Sequence, residues 1–163
     1  RLIMKNDTVK ELVWSSLGIA LVFLATFLLK IPNGIQGYVH MGDGFIMLFS
    51  SVLSPLCAVL VAAAGSALAD IAGGYAYFAL FTLIIKGLEA FLIAKIFQKS
   101  KLRFVSYFTG SIVMIFGYFL TDAFINQSWY LALTGIPGNI IQAAVGIIIA
   151  FLIYPLFISN FKK

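Results

Sequence analysis

The sequence predicts an all-α membrane protein, a single domain built as a bundle of six transmembrane helices with both termini in the cytoplasm. Three observations support this: an apolar composition, apolar runs long enough to span a bilayer, and basic residues clustered on one side of those runs. Of the 163 residues, 62% are hydrophobic and 10% are charged, whereas soluble domains average roughly 45–50% and about 25%. A soluble domain of this length could not bury so much apolar surface, so soluble and disordered classes are excluded.

The apolar runs set the number of passes. A spanning helix needs about 20 apolar residues, and residues 12–31, 104–124 and 138–158 meet this length. Residues 76–97 also meet it if Lys86 and Glu89 are tolerated inside the helix. Residues 41–71 form either one kinked helix or two short ones, because proline disfavours helix at the preceding residue and Ser54-Pro55 divides them. Six helices are predicted, at about 11–31, 41–53, 55–71, 76–97, 104–124 and 138–158.

The basic residues decide between five and six passes. Six passes place nine of the eleven on one side, which is the cytoplasmic side by the positive-inside rule. Five passes would separate the cluster at 95–103 from the C-terminal lysines. Lys30 and Lys86 are the exceptions. The inner residues are Arg1, Lys5, Lys10, Lys95, Lys99, Lys101, Arg103, Lys162 and Lys163.

The loops on the other side, at 33–40, 71–75 and 126–137, contain the flexible glycines, so a site that opens outward is predicted. Because the chain begins with Arg1 and not Met, we expect a few residues to precede it. We expect no cleavable signal, since the first apolar run is long enough to span and lacks a small-residue cleavage site.

Several function classes are excluded or disfavoured by what the sequence lacks. The net charge is +5, but no basic stripe interleaved with aromatic residues indicates nucleic acid binding. The single Cys57 excludes a disulfide framework within one chain, and a lone His40 among scattered carboxylates argues against a metal site. Neither a phosphate-binding G-x-x-x-x-G-K-[ST] loop nor a nucleophile–base–orienter set is present. Energy for any uphill transport must therefore come from a partner or an ion.

Ionisable residues inside predicted membrane helices each require a reason, since burying them in a bilayer is costly. Lys86 and Glu89 are three residues apart on one helical face, and Thr82 extends the same stripe. They form either an ion pair that lowers the cost of insertion or a polar wall facing a cavity, and both can hold at once.

Asn139 and Gln142 share a face of the last helix. We expect that helix to begin at Pro137-Gly138, so that its free N–H groups and its positive dipole end point into the outer half of the membrane. Amide side chains placed there suit a neutral, hydrogen-bonding small molecule. Alternatively, they hydrogen-bond to neighbouring helices and hold the bundle together.

Other candidates lie toward the outer ends of the helices. Tyr118 and Asp122 are four residues apart, and His40 and Asp43 open the second helix. Aromatic residues near the outer interface either form a membrane-interface belt or stack on a heteroaromatic ligand. They are Tyr75, Tyr77, Trp129 and Tyr130.

The first helix carries a small-residue patch, Ser16-x-x-x-Ala20 with Gly18 between them. Such a patch permits close approach either of a partner helix or of a neighbour within the bundle.

Four motifs in order resemble the substrate-binding S components of energy-coupling factor (ECF) transporters. They are HMGDGFI at 40–46, GSALAD at 65–70 followed by Gly74-Tyr75, KGLE at 86–89 and PGNIIQ at 137–142. The resemblance is strongest to the branch for hydroxymethylpyrimidine, pyridoxine or related vitamin precursors.

The resemblance implies a six-helix bundle in a bacterial plasma membrane that binds a vitamin at its outer face, gated by loop 33–40. It implies docking onto a transmembrane T component joined to two cytosolic ATP-binding subunits, which use the ATP, so that this chain needs no cofactor and is not an enzyme. The family's Ala-x-x-x-Ala motif for the T component corresponds to Ser16 and Ala20. The candidate substrate-binding residues are Lys86, Glu89, Asn139, Gln142, His40, Asp43, Tyr75, Tyr118 and Trp129.

Two other functions remain open on the residues alone. One is a self-sufficient channel or ion-coupled carrier, and the other is a small membrane enzyme, although the catalytic set it would need is missing. The resemblance favours the binding subunit of a vitamin importer.

Overall fold

The computed structural model describes residues 8–32, 34 and 37–161, without the side chains of residues 160 and 161. Six helices account for most of this part of the chain, and a short antiparallel hairpin of β1 and β2 follows the first of them. This confirms an all-α membrane protein. The elements are α1 (Thr8–Leu28), β1 (Ile31–Pro32), β2 (Tyr38–Val39), α2 (Gly42–Ser50), α3 (Pro55–Ala72), α4 (Ala79–Ser100), α5 (Arg103–Asn126) and α6 (Trp129–Phe161).

The surface of the bundle is apolar, as expected for a protein surrounded by lipid. Within the described residues, the four helices α1, α3, α5 and α6 are long and apolar enough to cross a membrane. Helix α4 has 22 residues but carries Lys86, Glu89 and Lys95 among them. Large apolar side chains point outward from the bundle, with Leu56 80% and Leu152 71% exposed. An exposed apolar surface of this extent indicates a membrane environment.

Helix α2 is short and lies at the centre of the bundle. Its nine residues extend about 14 Å at about 1.5 Å per residue, too short to cross a bilayer. Eight of those residues are buried, because α2 packs against α1, α3, α4 and α6. Its apolar residues Ile46 and Phe49 join Val22, Val61 and Ala90 in the largest buried cluster of the described residues.

Close approach of α2 to α6 depends on glycine. A Cβ placed on Gly44 would lie 2.7 Å from Ile149 Cγ2 and 2.8 Å from its Cβ, and a Cβ on Gly146 would lie 3.0 Å from Asp43 Cβ. Helix α3 then begins at Pro55, after Ser54 in an extended conformation. Proline fits there because the first N–H groups of a helix have no intrahelical partner.

The start of the last helix differs from the sequence prediction. It begins at Trp129 and includes Pro137, so residues 129–137 are helical and are not a loop. The prediction that the helix begins at Pro137-Gly138, with free N–H groups there, is therefore wrong. The turn at Gln127, in a left-handed conformation with φ 49, ends α5, and the Ser128 hydroxyl accepts a hydrogen bond from the Leu131 N–H at 3.2 Å. That cap starts the helix eight residues before the proline.

Smaller differences concern the loops. Loop 33–40 contains strand β2, while residues 33, 35 and 36 lie outside the described residues. Helix α4 begins at Ala79 and not at 76, because the chain turns through Tyr75–Phe78 first, with the Phe78 N–H donating to the Tyr75 carbonyl at 2.9 Å. The predicted basic residues Arg1, Lys5, Lys162 and Lys163 also lie outside the described residues.

We predict that Gly44→Ala destabilises the protein by about 1–3 kcal/mol, the usual cost of forcing a methyl group into a packed core. Gly87→Ala is the matched control, because it is also a helical glycine but its Cβ would lie 3.4 Å from the nearest atom, in ordinary contact. Thermal unfolding in detergent, followed by circular dichroism, measures both. Equal midpoints for the two variants would contradict the close α2–α6 contact.

Candidate functional site

A cavity lies among the helices at the end of the bundle that carries β1 and β2, here called the hairpin end. Its empty space, including the part that opens to solvent, is about 450 Å³. Every long helix and the segment before α2 contribute to its wall. The lining residues are Thr26, Gly37, Tyr38, His40, Ser66, Asp70, Phe78, Thr82, Tyr118, Asp122, Asn139 and Gln142.

Helix α3 presents two buried polar side chains to the cavity. Ser66 and Asp70 are four residues apart, so they share one helical face, and they are 1% and 4% exposed. Asp70 Oδ1 accepts a short hydrogen bond from the Tyr38 hydroxyl. Within the described residues, Asp70 Oδ2 and Ser66 Oγ have no hydrogen-bond partner. Leaving a buried polar atom unpaired costs about 1–3 kcal/mol, so these two atoms indicate a place for a ligand.

Helices α4 and α5 supply the aromatic side of the wall. Thr82 Oγ1 and the Tyr118 hydroxyl lie 3.0 Å apart, and the Phe78 ring centroid lies 6.5 Å from that of Tyr118. Asp122 lies one turn beyond Tyr118 and is also buried. This side combines two rings with hydroxyl and carboxyl groups, an arrangement suited to a flat polar heterocycle.

Helix α6 contributes two amides with different partners. Gln142 donates from Nε2 to Asp43 Oδ2 at 2.9 Å and accepts at Oε1 from the His40 N–H at 3.0 Å. Its amide is therefore engaged at both ends and links the hairpin end to α2. Asn139 lies on the cavity wall, and its side chain has no hydrogen bond to another described residue.

Behind Gln142 lie three charged residues, Asp43, Lys86 and Glu89, here called the buried triad. Lys86 Nζ lies 2.5 Å from Asp43 Oδ1 and 3.0 Å from Glu89 Oε2, and all three side chains are 0% exposed. Helices α2 and α4 are thus joined by an ion pair. None of the three is a lining residue of the cavity, and ligand contact by Lys86, Glu89 and Asp43 stays a prediction.

His40 closes the cavity between the hairpin and α2. Its Nδ1 accepts the Gly42 N–H at 3.0 Å and lies 3.4 Å from Thr26 Oγ1. Burial lowers the pKa of His40 to about 4, so the ring is neutral near pH 7. The described residues contain no group of three His, Cys, Asp or Glu side chains that could hold a metal ion.

The hairpin is fastened over the cavity by aromatic and polar contacts. The Tyr38 and Tyr75 ring centroids are 4.7 Å apart, and Lys30 Nζ lies 3.4 Å from the Gly73 carbonyl oxygen and 5.6 Å from the Tyr75 centroid. Burial and the nearby Asp70 raise the pKa of Tyr38, which keeps its hydroxyl protonated as the donor to Asp70.

The remaining candidates lie outside the cavity wall. Tyr75 packs on the outer side of Tyr38, and Trp129 is 64% exposed with its ring centroid 5.6 Å from that of Phe119. Ser16 and Ala20 are exposed on α1, while a Cβ on Gly18 would meet Val61 at 2.9 Å. Their proposed ligand and partner roles stay predictions.

The structure adds lining residues that the sequence reasoning did not select. Ser66 and Asp70 carried a usable signal, because two polar residues spaced by four stand out on a helix that is otherwise apolar. Phe78 and Thr26 carried none, because an aromatic or a threonine in an apolar run is ordinary. The lining residues missed are Thr26, Gly37, Tyr38, Ser66, Asp70 and Phe78.

We predict that Lys86→Met lowers stability by about 3–5 kcal/mol, because it leaves the buried Asp43 carboxylate without its cation. The matched control is Lys95→Met, an exposed lysine on the same helix, for which we expect a change within about 0.5 kcal/mol. Thermal unfolding of the purified protein in detergent compares the two. A Lys86→Met protein as stable as the control would contradict the buried Asp43–Lys86 ion pair.

Comparison with known proteins places the chain in a family. Residues 6–158 match the family described as "ECF-type riboflavin transporter, S component". The chain is 37% identical over 133 residues to a Pyrococcus woesei protein named "Uncharacterized protein in gap 3'region", covering 78% of this chain and 88% of that protein. It is 25% identical over 170 positions to "Thiamine precursor transporter HmpT" of Lactococcus lactis subsp. cremoris, covering 99% and 98%. The chain therefore belongs to the ECF-type transporter S components, and it is a membrane transporter subunit and not an enzyme.

Proposed function

We propose that this chain is the subunit that binds a small vitamin precursor in the membrane, with hydroxymethylpyrimidine as the favoured ligand and pyridoxine as the second. The observation that carries the proposal is the cavity at the hairpin end, in which Asp70 Oδ2 and Ser66 Oγ are buried without a partner among the described residues. The printed name of the Lactococcus relative, a thiamine precursor transporter, supports the same ligand class.

The ligand ring lies against Phe78 and Tyr118 in this proposal, and polar atoms of the ligand meet Asp70, Ser66 and Asn139. Gln142 forms part of the wall and holds the His40 backbone in place. It is not a hydrogen-bond partner of the ligand in this proposal, since both ends of its amide are already engaged. Lys86 and Glu89 act from behind the wall, because Lys86 fixes the Asp43 carboxylate that orients Gln142. Tyr75 covers the hairpin from outside.

The proposed topology has six passes and places both termini in the cytoplasm. The second pass consists of the short helix α2 together with the turns at residues 51–54, and α3 forms the third. The proposed membrane is a bacterial plasma membrane. Supporting this topology, Lys10 lies in the first turn of α1 and four further cations cluster where α4 meets α5, at the end of the bundle opposite the hairpin, whereas Lys30 is the exception at the hairpin end. The four clustered cations are Lys95, Lys99, Lys101 and Arg103. By the positive-inside rule the end opposite the hairpin is cytoplasmic and the cavity faces outward.

The proposed partners are a transmembrane T component and two cytosolic ATP-binding subunits, because the chain belongs to a family of S components. Ser16 and Ala20, exposed on α1, are the proposed contact with the T component. The segment 33–40 is the proposed gate, and no cofactor of this chain itself takes part. ATP hydrolysis on the partners then releases the ligand inside.

We expect the purified chain to bind hydroxymethylpyrimidine with one site per chain and without ATP, as measured by isothermal titration calorimetry in detergent. We expect Asn139→Ala to weaken that binding about tenfold or more, because a lost hydrogen bond in a dry site costs on the order of 1–3 kcal/mol.

The control for this variant is Ile140→Ala, the next residue on α6, which is 51% exposed and faces away from the cavity. Its affinity should equal that of the unmodified chain. Riboflavin and pyridoxine complete the ligand panel. Failure of the unmodified chain to bind any of the three would refute the proposed ligand class, and unchanged affinity in Asn139→Ala would remove that residue from the site.

We also expect cells that express this chain alone to take up no labelled ligand, whereas co-expression with a T component and two ATP-binding subunits restores uptake. The physical reason is that the sequence contains no nucleotide-binding loop. Transport by the pure chain in liposomes without nucleotide would instead indicate a self-sufficient carrier.

A further inference from the structure

Apart from His40, the described ionisable side chains that carry charge on the cavity wall are acidic. Two carboxylates, Asp70 and Asp122, line it, and the described lining residues include neither lysine nor arginine. The remaining titratable base on the wall, His40, is neutral near pH 7 because burial lowers its pKa to about 4. The wall therefore offers carboxyl groups and no cation to balance an anionic ligand.

The nearest cations are engaged elsewhere. Lys86 Nζ contacts both Asp43 and Glu89, so it is already engaged by two carboxyl groups. Lys30 lies at the mouth, where Nζ reaches the Gly73 carbonyl and lies 4.7 Å from the Phe27 centroid. Neither ammonium group is on the cavity wall, and a phosphate inside the cavity would meet carboxylates first.

The unpaired atoms specify what the ligand must provide. Asp70 Oδ2 is an acceptor only, and Ser66 Oγ, one helical turn away on the same face, can accept as well. Residues four apart on a helix have Cβ atoms about 5–6 Å apart, so one group between them can reach both oxygens. An amino group carries two N–H donors and can satisfy both atoms, whereas a hydroxyl group carries one.

We propose that this site selects an unphosphorylated nitrogen heterocycle with an exocyclic amino group, which donates to Asp70 Oδ2 and Ser66 Oγ, and that Asp70 and Asp122 exclude phosphate esters. This inference rests on the proposed function and deepens it. The phosphate ester of the same heterocycle is then a poor ligand, because its anionic group enters a space that holds two carboxylates and no cation.

The first test uses the unmodified chain and matched ligands, measured by calorimetry in detergent. The ligands are hydroxymethylpyrimidine, its analogue with hydrogen in place of the amino group, and its phosphate ester; pyridoxamine and pyridoxine form a second pair. We expect the analogue without the amino group to bind at least about tenfold more weakly. We expect the phosphate ester to bind at least about a hundredfold more weakly.

The second test uses variants that keep shape and change charge. Asp70→Asn should weaken binding of the aminated ligand about tenfold. It should also reduce the difference in affinity between the aminated ligand and its phosphate ester. Ser66→Ala should reduce the ratio of the affinity for the aminated ligand to that for the analogue without the amino group. The affinity for the phosphate ester should stay unchanged. Glu11→Gln is the matched control, because it removes a buried carboxylate outside the cavity and keeps an oxygen for the Ser54 N–H.

The outcomes separate the two proposals. If the unmodified chain binds no member of either ligand series, the proposed function fails and this inference fails with it. If it binds the heterocycle but equally well with and without the amino group, or equally well as the phosphate ester, the inference alone is overturned. Because this comparison needs only the unmodified chain, a variant that fails to fold does not affect it.

Discussion

The contact between Asp43 and Lys86 is the interaction on which the site depends. Helix α2 has nine residues and cannot hold itself across a bilayer, so its position is set by what it contacts. The ion pair joins it to α4, and Asp43 Oδ2 accepts from Gln142 of α6 at 2.9 Å. The Asp43 carboxylate thus has two partners, the Lys86 ammonium and the Gln142 amide. Together they fix the position of α2 along its axis and its rotation about it, since charge-assisted hydrogen bonds are directional and strong in a low dielectric.

The cavity follows from that placement. Because α2 is held at its N-terminal end, the preceding residue His40 lies where its N–H donates to Gln142 Oε1, and the hairpin before it extends over the open end of the bundle. Tyr38 then reaches Asp70 on α3. A single chain of contacts thus runs from the buried triad through Gln142 to the hairpin, so the wall and its cover are positioned by the same charges.

Much of this architecture is predictable from the sequence, and what is not has identifiable causes. Length and polarity predict the six helices, and the spacing of Lys86 and Glu89 predicts that they face each other. The start of α6 was mispredicted because proline is a helix breaker in water, whereas neighbouring helices and a capping serine tolerate it within a membrane helix. The ion pair of Asp43 with Lys86 cannot be predicted from the sequence, since the two residues are 43 positions apart along the chain and only tertiary packing brings them together.

In the proposed site, Asp70 and Ser66 are placed to meet a ligand, whereas the Asp43–Lys86 pair supports the wall. Lys86 and Asp43 are fully buried and paired, so a ligand gains nothing from them without breaking an ion pair. Asp70 Oδ2 and Ser66 Oγ are buried without partners among the described residues, and a buried polar atom left unpaired costs about 1–3 kcal/mol. A ligand that pairs both atoms removes that cost and, at about 1,000 times its dissociation constant, stabilises the fold by about 4.1 kcal/mol. In the proposed site, the ligand's affinity and the stability gained on binding therefore depend on the same two atoms.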